Sequence, residues 1–332
     1  LHPLESSKEI ADGLHPAASY ATIKRIIQQL VESGLVVTVG RGKSSRYQLS
    51  PGYELFHPVD MDEYYKKEID DRVIKEKFNR ELLTVILPSV PLFTQEEMKA
   101  LQLLQEKYRQ KVSALSSGAW QKEMERLAID LSWKSSQIEG NTYSLLETER
   151  LLKYKQTAAG KTKDEAVMLL NHKEALDFII NHPDYVKPLS VSVIEDIHSI
   201  LIKDLAVDRN IRTHSVGISG TNYTPLDNEY QIREALEDMC LLVNKEDHVP
   251  AKALLSLLLL SYIQPFADGN KRTARIISNA LLMCCGYCPL SFRTVGPVEY
   301  KKAMLLFYEQ NNLSAFKKIF MEQFAFAVGK YF

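Results

Sequence analysis

The chain has 332 residues, of which 45% are hydrophobic and 25% are charged, and its formal net charge is −1. This composition buries an ordinary hydrophobic core, the length suits two or three domains, and the small net charge indicates neither a nucleic-acid nor a membrane-binding protein. The longest uncharged apolar run covers residues 253–263, about half of what spans a bilayer. We therefore expect no membrane partner.

Residues 1–50 have the pattern of a small α+β domain. A helix that follows Ser6, a helix over residues 20–33 and a hairpin of residues 35–39 and 46–49 come in this order. The order resembles a winged helix-turn-helix without its first helix. We therefore predict a winged-helix domain over residues 1–50.

Basic residues in this segment suggest one function for it. The segment carries a charge of +2 and the rest of the chain −3, and such a distribution suits contact with phosphates. A winged helix used for protein contact or dimerisation is the alternative. The candidate DNA-binding residues lie on the second helix and on the wing: Lys24, Arg25, Arg41, Lys43 and Arg46.

A charged connector follows over residues 51–93, with a helix predicted over residues 61–84. From Thr94 to residue 332 the pattern predicts a mainly α domain, and it includes a helix over residues 250–263 that is apolar on all sides and hence central. Residues 214–225 are the exception, because they are rich in β-forming and turn residues. They predict a β-hairpin.

The four cysteines predict no special chemistry. Cys285 and Cys288 have the CxxC spacing, but they follow a helix end, whereas redox pairs lie at a helix start, where the thiolate pKa is lowered. Cys240 and Cys284 add no zinc-binding pattern. We expect buried, reduced cysteines in a cytoplasmic protein.

The most informative stretch is residues 264–275, Gln-Pro-Phe-Ala-Asp-Gly-Asn-Lys-Arg-Thr-Ala-Arg. It places Gly269 and Asn270 at the start of a helix, where free N–H groups and the helix dipole favour an anion. Arg272 and Arg275 are three residues apart and suit bidentate phosphate binding. Asp268 can carry Mg²⁺ between phosphate oxygens. The stretch therefore predicts a nucleotide polyphosphate site.

The same stretch resembles the core motif of Fic proteins, HPFx(D/E)GN(G/K)RxxR, at every defined position except the first. The resemblance extends over about residues 95–330. It implies an all-helical domain that transfers the AMP group of ATP to a hydroxyl group of a target protein. Family members often pair, although nothing in this sequence specifies a homodimer interface. We expect a bacterial protein.

The resemblance also implies roles by position. Asp268 would hold Mg²⁺; Gly269, Asn270 and Arg272 would bind the α- and β-phosphates; Arg275 would bind the γ-phosphate. Lys271 occupies a position that is Gly or Lys in Fic proteins and also Lys in the related Doc kinases, which leaves phosphoryl transfer as a minority alternative.

Two further segments resemble parts of the family. Ser135 and Glu139 match the inhibitory motif (S/T)xxxE(G/N), in which the glutamate pairs with the second motif arginine, here Arg275, and forces ATP into an unproductive pose. Residues 214–225 resemble the flap that aligns a target segment by backbone pairing. Its tip would comprise Ser219, Gly220, Thr221 and Tyr223.

Gln264 stands where the family has its catalytic histidine. An amide accepts a hydrogen bond from the attacking hydroxyl but cannot carry its proton away, and the loss of a general base typically costs ~10²–10⁴ in rate. His198 is expected to be structural, and His214 is a weak substitute. Three interpretations therefore remain open: a weak or differently assisted AMP-transferase, a silent ATP-binding domain coupled to a DNA-binding regulator, and a hydrolase that removes AMP with Glu139 placing a water.

Overall fold

The structure is a computed structural model and describes residues 4–16 and 18–332. Its N-terminal part consists of α1 (Ser7–Gly13), α2 (Tyr20–Glu32) and an antiparallel hairpin of β1 (Val36–Val39) and β2 (Arg46–Leu49). Ile23, Ile27 and Leu35 are buried in this segment. These elements lie where the sequence predicted them, and the assignment to the winged-helix class stays a prediction.

The connector departs from its prediction. Instead of one helix over residues 61–84, it forms α3 (Tyr53–Phe56), α4 (Met61–Tyr64), a 3-10 turn (Ile69–Asp71), a π-helical turn (Leu82–Ile86) and a 3-10 turn (Leu87–Ser89). Between these short turns the connector bonds to the helical domain: the N–H of Lys75 donates to the carbonyl of Glu309 at 2.7 Å. Tertiary contacts here outweigh the local helix propensity.

The rest of the chain is helical, as the sequence predicted. The helices are α5 (Gln95–Ser113), α6 (Ser117–Ile138), α7 (Leu145–Tyr154), α8 (Lys163–Asn181), α9 (Val191–Leu201), α10 (Glu229–Lys245), α11 (Val249–Ile263), α12 (Asn270–Met283), α13 (Pro297–Gln310) and α14 (Ser314–Lys330). A 3-10 turn, Pro183–Val186, joins α8 to α9. Capping boxes at Thr94, Ser144 and Thr162 begin α5, α7 and α8, which explains why local sequence marks these helix starts.

The centre of the fold is α11. All its residues from Pro250 to Ile263 except Lys252 are buried, and it packs along α12 and α10. Because both α11 and α12 belong to the core, the loop between them is fixed at both ends. This loop, residues 264–269, carries the first half of the motif that the sequence singled out.

The predicted hairpin over residues 214–225 is wrong. In the described part of the chain the only β-ladder is that of β1 and β2, and this loop forms just an isolated parallel bridge between Lys77 and Thr224. The physical reason is that Tyr223 turns into the core, where its ring stacks on Tyr262 at 4.7 Å and its hydroxyl donates to the carbonyl of Tyr262 at 3.0 Å. The loop backbone is thereby held by the core and the connector, not by a partner strand.

All four cysteines are free in the structure. Cys240 and Cys288 are buried as expected, whereas Cys284 and Cys285 are half-buried. None of the helices that the structure describes is both long and apolar enough to cross a membrane.

Candidate nucleotide site

A cavity of about 250 Å³ opens at the loop between α11 and α12. Its walls come from four parts of the chain: Glu139 at the end of α6, residues 216–219, residues 267–272 together with Gln264, and Lys301 on α13. The structure thus brings the motif, Glu139 and the predicted flap segment, all singled out from the sequence, to one place.

The loop reaches α12 through Gly269, whose φ of +83° is left-handed. A Cβ atom there would lie 3.2 Å from Nε2 of His198, so the packing behind the loop also requires glycine. His198 stacks on Phe266 at 3.6 Å between ring centroids and hydrogen-bonds the carbonyl of Asp268 at 2.9 Å. His198 therefore supports the loop from the core, in line with its expected structural role.

The side chain of Asn270 braces the loop. Its Oδ1 accepts from the N–H of Phe266 at 2.8 Å, and its Nδ2 donates to the carbonyl of Phe266 at 2.8 Å and to Oε1 of Gln264 at 3.0 Å. The amide side chain is thus engaged with the protein, and the predicted role of Asn270 in phosphate binding stays a prediction. The N–H groups of the first turn of α12 are free of this network and suit an anion.

Gln264 caps α11 in a left-handed conformation, with φ +52°. Its Nε2 donates to the carbonyl of Ser261 at 2.6 Å, while its Oε1 accepts from Asn270. Both ends of the amide are therefore engaged with the protein. The side chain borders the cavity, but it offers no group that can accept a proton.

Arg275 is completely buried. Its guanidinium donates to Oε1 of Glu139 at 2.8 Å, to Oγ of Ser135 at 2.8 Å and to the carbonyl of Ser135 at 2.9 Å. Nζ of Lys271 lies 3.4 Å from Oε2 of Glu139. Burial raises the pKa of Glu139, but the charges of Arg275 and Lys271 outweigh burial and lower that pKa below its ordinary value. Glu139 is thus an anion held between two cations.

Asp268 and Arg272 form the other side of the anion site. Nη2 of Arg272 donates to Oδ2 of Asp268 at 3.1 Å; the side chain of Arg272 is buried, whereas that of Asp268 is 64% exposed. In the described ranges no three acidic, histidine or cysteine side chains cluster as a preformed metal site. Asp268 nevertheless fits Mg²⁺, which usually takes one or two carboxylates and completes its shell with phosphate oxygens and water.

A second cavity of about 280 Å³ adjoins the first and shares Glu139, Ile218, Lys271 and Lys301 with it. Its other walls are mostly apolar or aromatic, and they come from Ile138, Gly140, Tyr300, Met304, Leu305 and Tyr308. A polar lobe lined by cations therefore continues into an apolar lobe.

Residues 188–282, which contain α9 to α12 and the motif, match the model of the Fic/DOC family. The chain carries a Fic/DOC family domain. It is 28% identical over 229 residues to the protein adenylyltransferase Fic of Nematostella vectensis, which covers 64% of this chain and 51% of that protein. It is 30% identical over 210 residues to that of Drosophila yakuba, with coverages of 58% and 40%. The chain thus matches about half or less of the length of these relatives.

Solved structures share the fold. C. elegans Fic-1 has a TM-score of 0.63 and 24% identity, with 76% of this chain and 77% of that chain covered. A Fic domain containing signaling protein from Bacteroides thetaiotaomicron has a TM-score of 0.57 and 19% identity, with coverages of 69% and 94%. These likenesses agree with the predicted mainly helical fold.

Sequence reasoning missed His172, which lies beneath the arginines of the Fic domain. It is completely buried on α8, and neither ring nitrogen has a hydrogen-bond partner in the described part of the chain. Burial, then the charges of Arg275 and Arg272, lower its pKa well below the ordinary value. His172 is hence a neutral side chain. His172 shares a helix face with Leu169, Leu176 and Ile179, so the sequence pattern marks it as one more core position.

Sequence reasoning also missed Arg212, which ties the flap loop to the motif. Its guanidinium donates to the carbonyls of Gln264 at 2.7 Å, of His214 at 2.6 Å, and of Leu226. Arg212 is buried. It therefore fixes both ends of the loop against the position that carries Gln264, and nothing in a lone arginine signals this role.

The predicted flap residues separate into two groups. Residues 216–219, including Ser219, line the cavity. Gly220 is exposed and Thr221 is half-buried. Tyr223, which the sequence places at the tip, has its side chain buried in the core. His214 is exposed and does not line the cavity of the Fic domain.

The predicted DNA-binding residues lie outside the Fic domain. Lys24, Arg25 and Arg41 are exposed. Arg46 is engaged by Glu9 at 2.9 Å and by the carbonyl of Leu4 at 3.2 Å. The side chain of Lys43 lies outside the described residues.

Proposed function

We propose that this Fic/DOC domain binds ATP with Mg²⁺ and transfers its AMP group to a hydroxyl group of a target protein. Glu139 restrains the transfer, and Gln264 slows it. Support comes from the relatives in Nematostella vectensis and Drosophila yakuba, which are named protein adenylyltransferases. The observation that carries the proposal is the pairing of Arg275 with Glu139, which lines the motif cavity, because it places a carboxylate where the motif predicts a phosphate.

The shape of the two lobes suits a nucleoside triphosphate. The polar lobe offers the start of α12, Arg272 and Lys271 to the phosphates. The apolar lobe, bordered by Tyr300, Met304 and Tyr308, suits a flat base, since ligand sites combine apolar walls with a few polar groups. Asp268 would hold Mg²⁺, which would offset the negative charge of the phosphate oxygens.

Transfer requires a target hydroxyl oxygen to bond to the α-phosphorus of ATP. The bond from that phosphorus to the bridging oxygen breaks, pyrophosphate leaves, and the hydroxyl proton must go to an acceptor. Gln264 occupies the place of the family histidine and cannot take this proton. The expected cost is ~10²–10⁴ in rate, or about 3–5 kcal/mol of barrier.

The restraint follows from charge. A γ-phosphate that approaches Arg275 must displace Glu139, whose carboxylate has already neutralised that guanidinium. Two anions cannot share the site without strong repulsion. ATP that binds in the presence of Glu139 is therefore expected to adopt a different and less productive pose.

The deciding experiment is transfer of label from α-labelled ATP to protein. The variants are Glu139→Gly alone and Glu139→Gly combined with Gln264→His. Label on both supports an AMP-transferase that tolerates Gln264. Label only on the double variant, with ATP bound by both, supports an intact site that lacks its base and hence an ATP-binding regulator. The absence of label and of ATP binding in both overturns the proposal.

We also propose that the N-terminal segment contacts DNA through exposed basic residues on α2. Lys24 and Arg25 are adjacent and exposed there. The test is anisotropy of a mixed-sequence duplex across a salt series, with Lys24→Gln/Arg25→Gln compared with the exposed connector pair Lys66→Gln/Lys67→Gln. A loss confined to the first variant, with a salt slope smaller by about 2, supports DNA contact. Equal binding by both variants favours a protein-contact role.

A further inference from the structure

The connector that leads into the Fic domain lies against the loop of residues 214–225. The N–H of Thr224 donates to the carbonyl of Glu76 at 2.7 Å, and Nδ2 of Asn222 donates to Oδ1 of Asp70 at 3.0 Å. Residues 70–77 of the connector thus lie against the second half of the loop. Its first half, residues 216–219, borders the cavity.

Arg72 makes the most buried of these contacts. Its Nη2 donates to the carbonyl of Gly220 at 2.9 Å, while its Nη1 donates to Oε1 of Glu309 at 3.0 Å. The side chains of Arg72 and Glu309 are 3% and 0% exposed. Glu309 also accepts from the hydroxyl of Tyr64 at 2.7 Å. One guanidinium therefore joins the connector, α13 and the tip of the loop.

The site of this contact matters because Gly220 directly follows the cavity-lining residues. Gly220 has φ +93°, and a Cβ there would lie 3.3 Å from Cδ1 of Leu305 on α13. Arg212 fixes the two ends of the loop through the carbonyls of His214 and Leu226. Residues 216–219 accordingly lie between the base of the loop, which Arg212 fixes, and its tip, which Arg72 contacts.

We propose that Arg72 is a positioning residue for target recognition. It holds the tip of the loop so that residues 216–219 keep one conformation beside the cavity, and the connector covers the other side of the loop. An extended target segment then pairs with the backbone of residues 216–219 only. This inference rests on the proposed transfer to a target protein, and it makes the connector part of the target-binding surface.

The test is amide hydrogen exchange of the full chain, which needs no transfer activity. Arg72→Ala is expected to raise exchange at least tenfold at Tyr223 and Thr224, whose N–H groups donate within the protein, because removal of a buried contact lowers the cost of local opening. Arg80→Ala is the matched control: this connector arginine pairs with Glu234 and Asp238 on α10. It should leave the loop unchanged.

Two further variants keep the test valid if Arg72→Ala fails to fold. Arg72→Lys keeps the charge but cannot reach both partners with a planar fork, so exchange should fall between wild type and alanine. Arg72→Gln/Glu309→Gln removes both buried charges together and should raise exchange in the loop selectively. Loop exchange that stays unchanged in all these variants, or that rises equally throughout α5 to α14, overturns the proposal.

ATP binding in the presence of Mg²⁺ separates this inference from the proposed function. Affinity for ATP should stay within twofold of wild type in the Arg72 variants, because Arg72 does not line the cavity. In the Glu139→Gly/Gln264→His background, one protein molecule can serve as the target of another. Adding Arg72→Ala should slow this modification at low protein concentration and leave kcat at saturating protein concentration unchanged. If wild type binds no ATP, the proposed function fails, and the exchange data still judge the role of Arg72.

Discussion

Arg275 on α12 donates a 2.8 Å hydrogen bond to Glu139, which lies 136 residues earlier at the end of α6. Ser135, one helical turn before Glu139, holds the same guanidinium through its hydroxyl and its carbonyl. The arginine is therefore oriented by a helix end, and its one acidic partner here is a carboxylate that also faces the cavity. If the proposed nucleotide binds as the motif predicts, its phosphate must compete with Glu139 for this arginine.

Glu139→Gly should tighten ATP binding in the presence of Mg²⁺ by about tenfold, which corresponds to ~1.4 kcal/mol. The reason is that the change frees Arg275 and Lys271 for phosphate oxygens. Isothermal titration of ATP measures it. Glu246→Gly is the control, because Glu246 also caps a helix end but does not line the cavity. Equal affinity in wild type and Glu139→Gly would contradict the inhibitory role.

Glu139→Gln should lower the free energy of unfolding at neutral pH by about 1–3 kcal/mol, because it leaves a buried guanidinium without its counter-charge. The pKa of Glu139 is lowered in the folded state from 4.5. The unfolded state therefore binds the proton first, so the pair stabilises the fold fully above about pH 4.5 and loses its contribution as the pH falls through the lowered value. Urea unfolding at several pH values measures the difference between the variants.

In that experiment Glu149→Gln serves as the control, since Glu149 forms an exposed pair with Lys153 and such pairs contribute little. A wild-type advantage that stays constant well below pH 4.5 would show that the fold does not lower the pKa of Glu139.

His172→Gln should flatten the acid side of the stability profile. The pKa of His172 is lowered well below 6.5 in the fold, chiefly by burial. As the pH falls below about 6.5, the unfolded chain takes up a proton that the folded chain refuses, so wild-type stability declines by up to about 1.4 kcal/mol per pH unit. The loss of unfolding free energy between pH 7.5 and pH 5.5 should be about 1 kcal/mol smaller in the variant than in wild type. Identical slopes would show that the fold does not lower the pKa of His172.

Asp268→Ala should remove the Mg²⁺ dependence of ATP binding. Asp268 is the exposed carboxylate that borders the polar lobe, and one or two carboxylates commonly hold Mg²⁺ beside phosphates. Titrations of ATP with Mg²⁺ and with a chelator measure this, with the exposed Asp247→Ala as control. A Mg²⁺ effect that survives in Asp268→Ala would place the metal on another acid.

Much of the helical domain was predictable because its signals are local. The capping boxes that begin α5, α7 and α8 involve residues three positions apart. The apolar residues on all sides of α11 are likewise visible in one short stretch of sequence. The motif of residues 264–275 was informative for the same reason, since a helix start, a glycine turn and two arginines one turn apart already describe an anion site.

The sequence predictions that were wrong concern segments whose conformation depends on contacts with residues far away in the chain. The connector looked helical, but its backbone bonds to Glu309 on α13. The loop over residues 214–225 looked like a hairpin, but the core takes up Tyr223. In both cases a local pattern was compatible with several conformations, and burial against another element selected one.

The sequence by itself determined which residues could bind an anion and which helices would carry them, because residue type, spacing and caps act within a few positions. The family resemblance also implied that Glu139 pairs with Arg275, as it does in the structure. Only the tertiary structure decided what the other buried arginines bind. Arg72 meets Glu309 and Arg212 meets the carbonyl of Gln264 once the helices pack, because hydrogen bonds act over about 3 Å, whatever the separation along the chain.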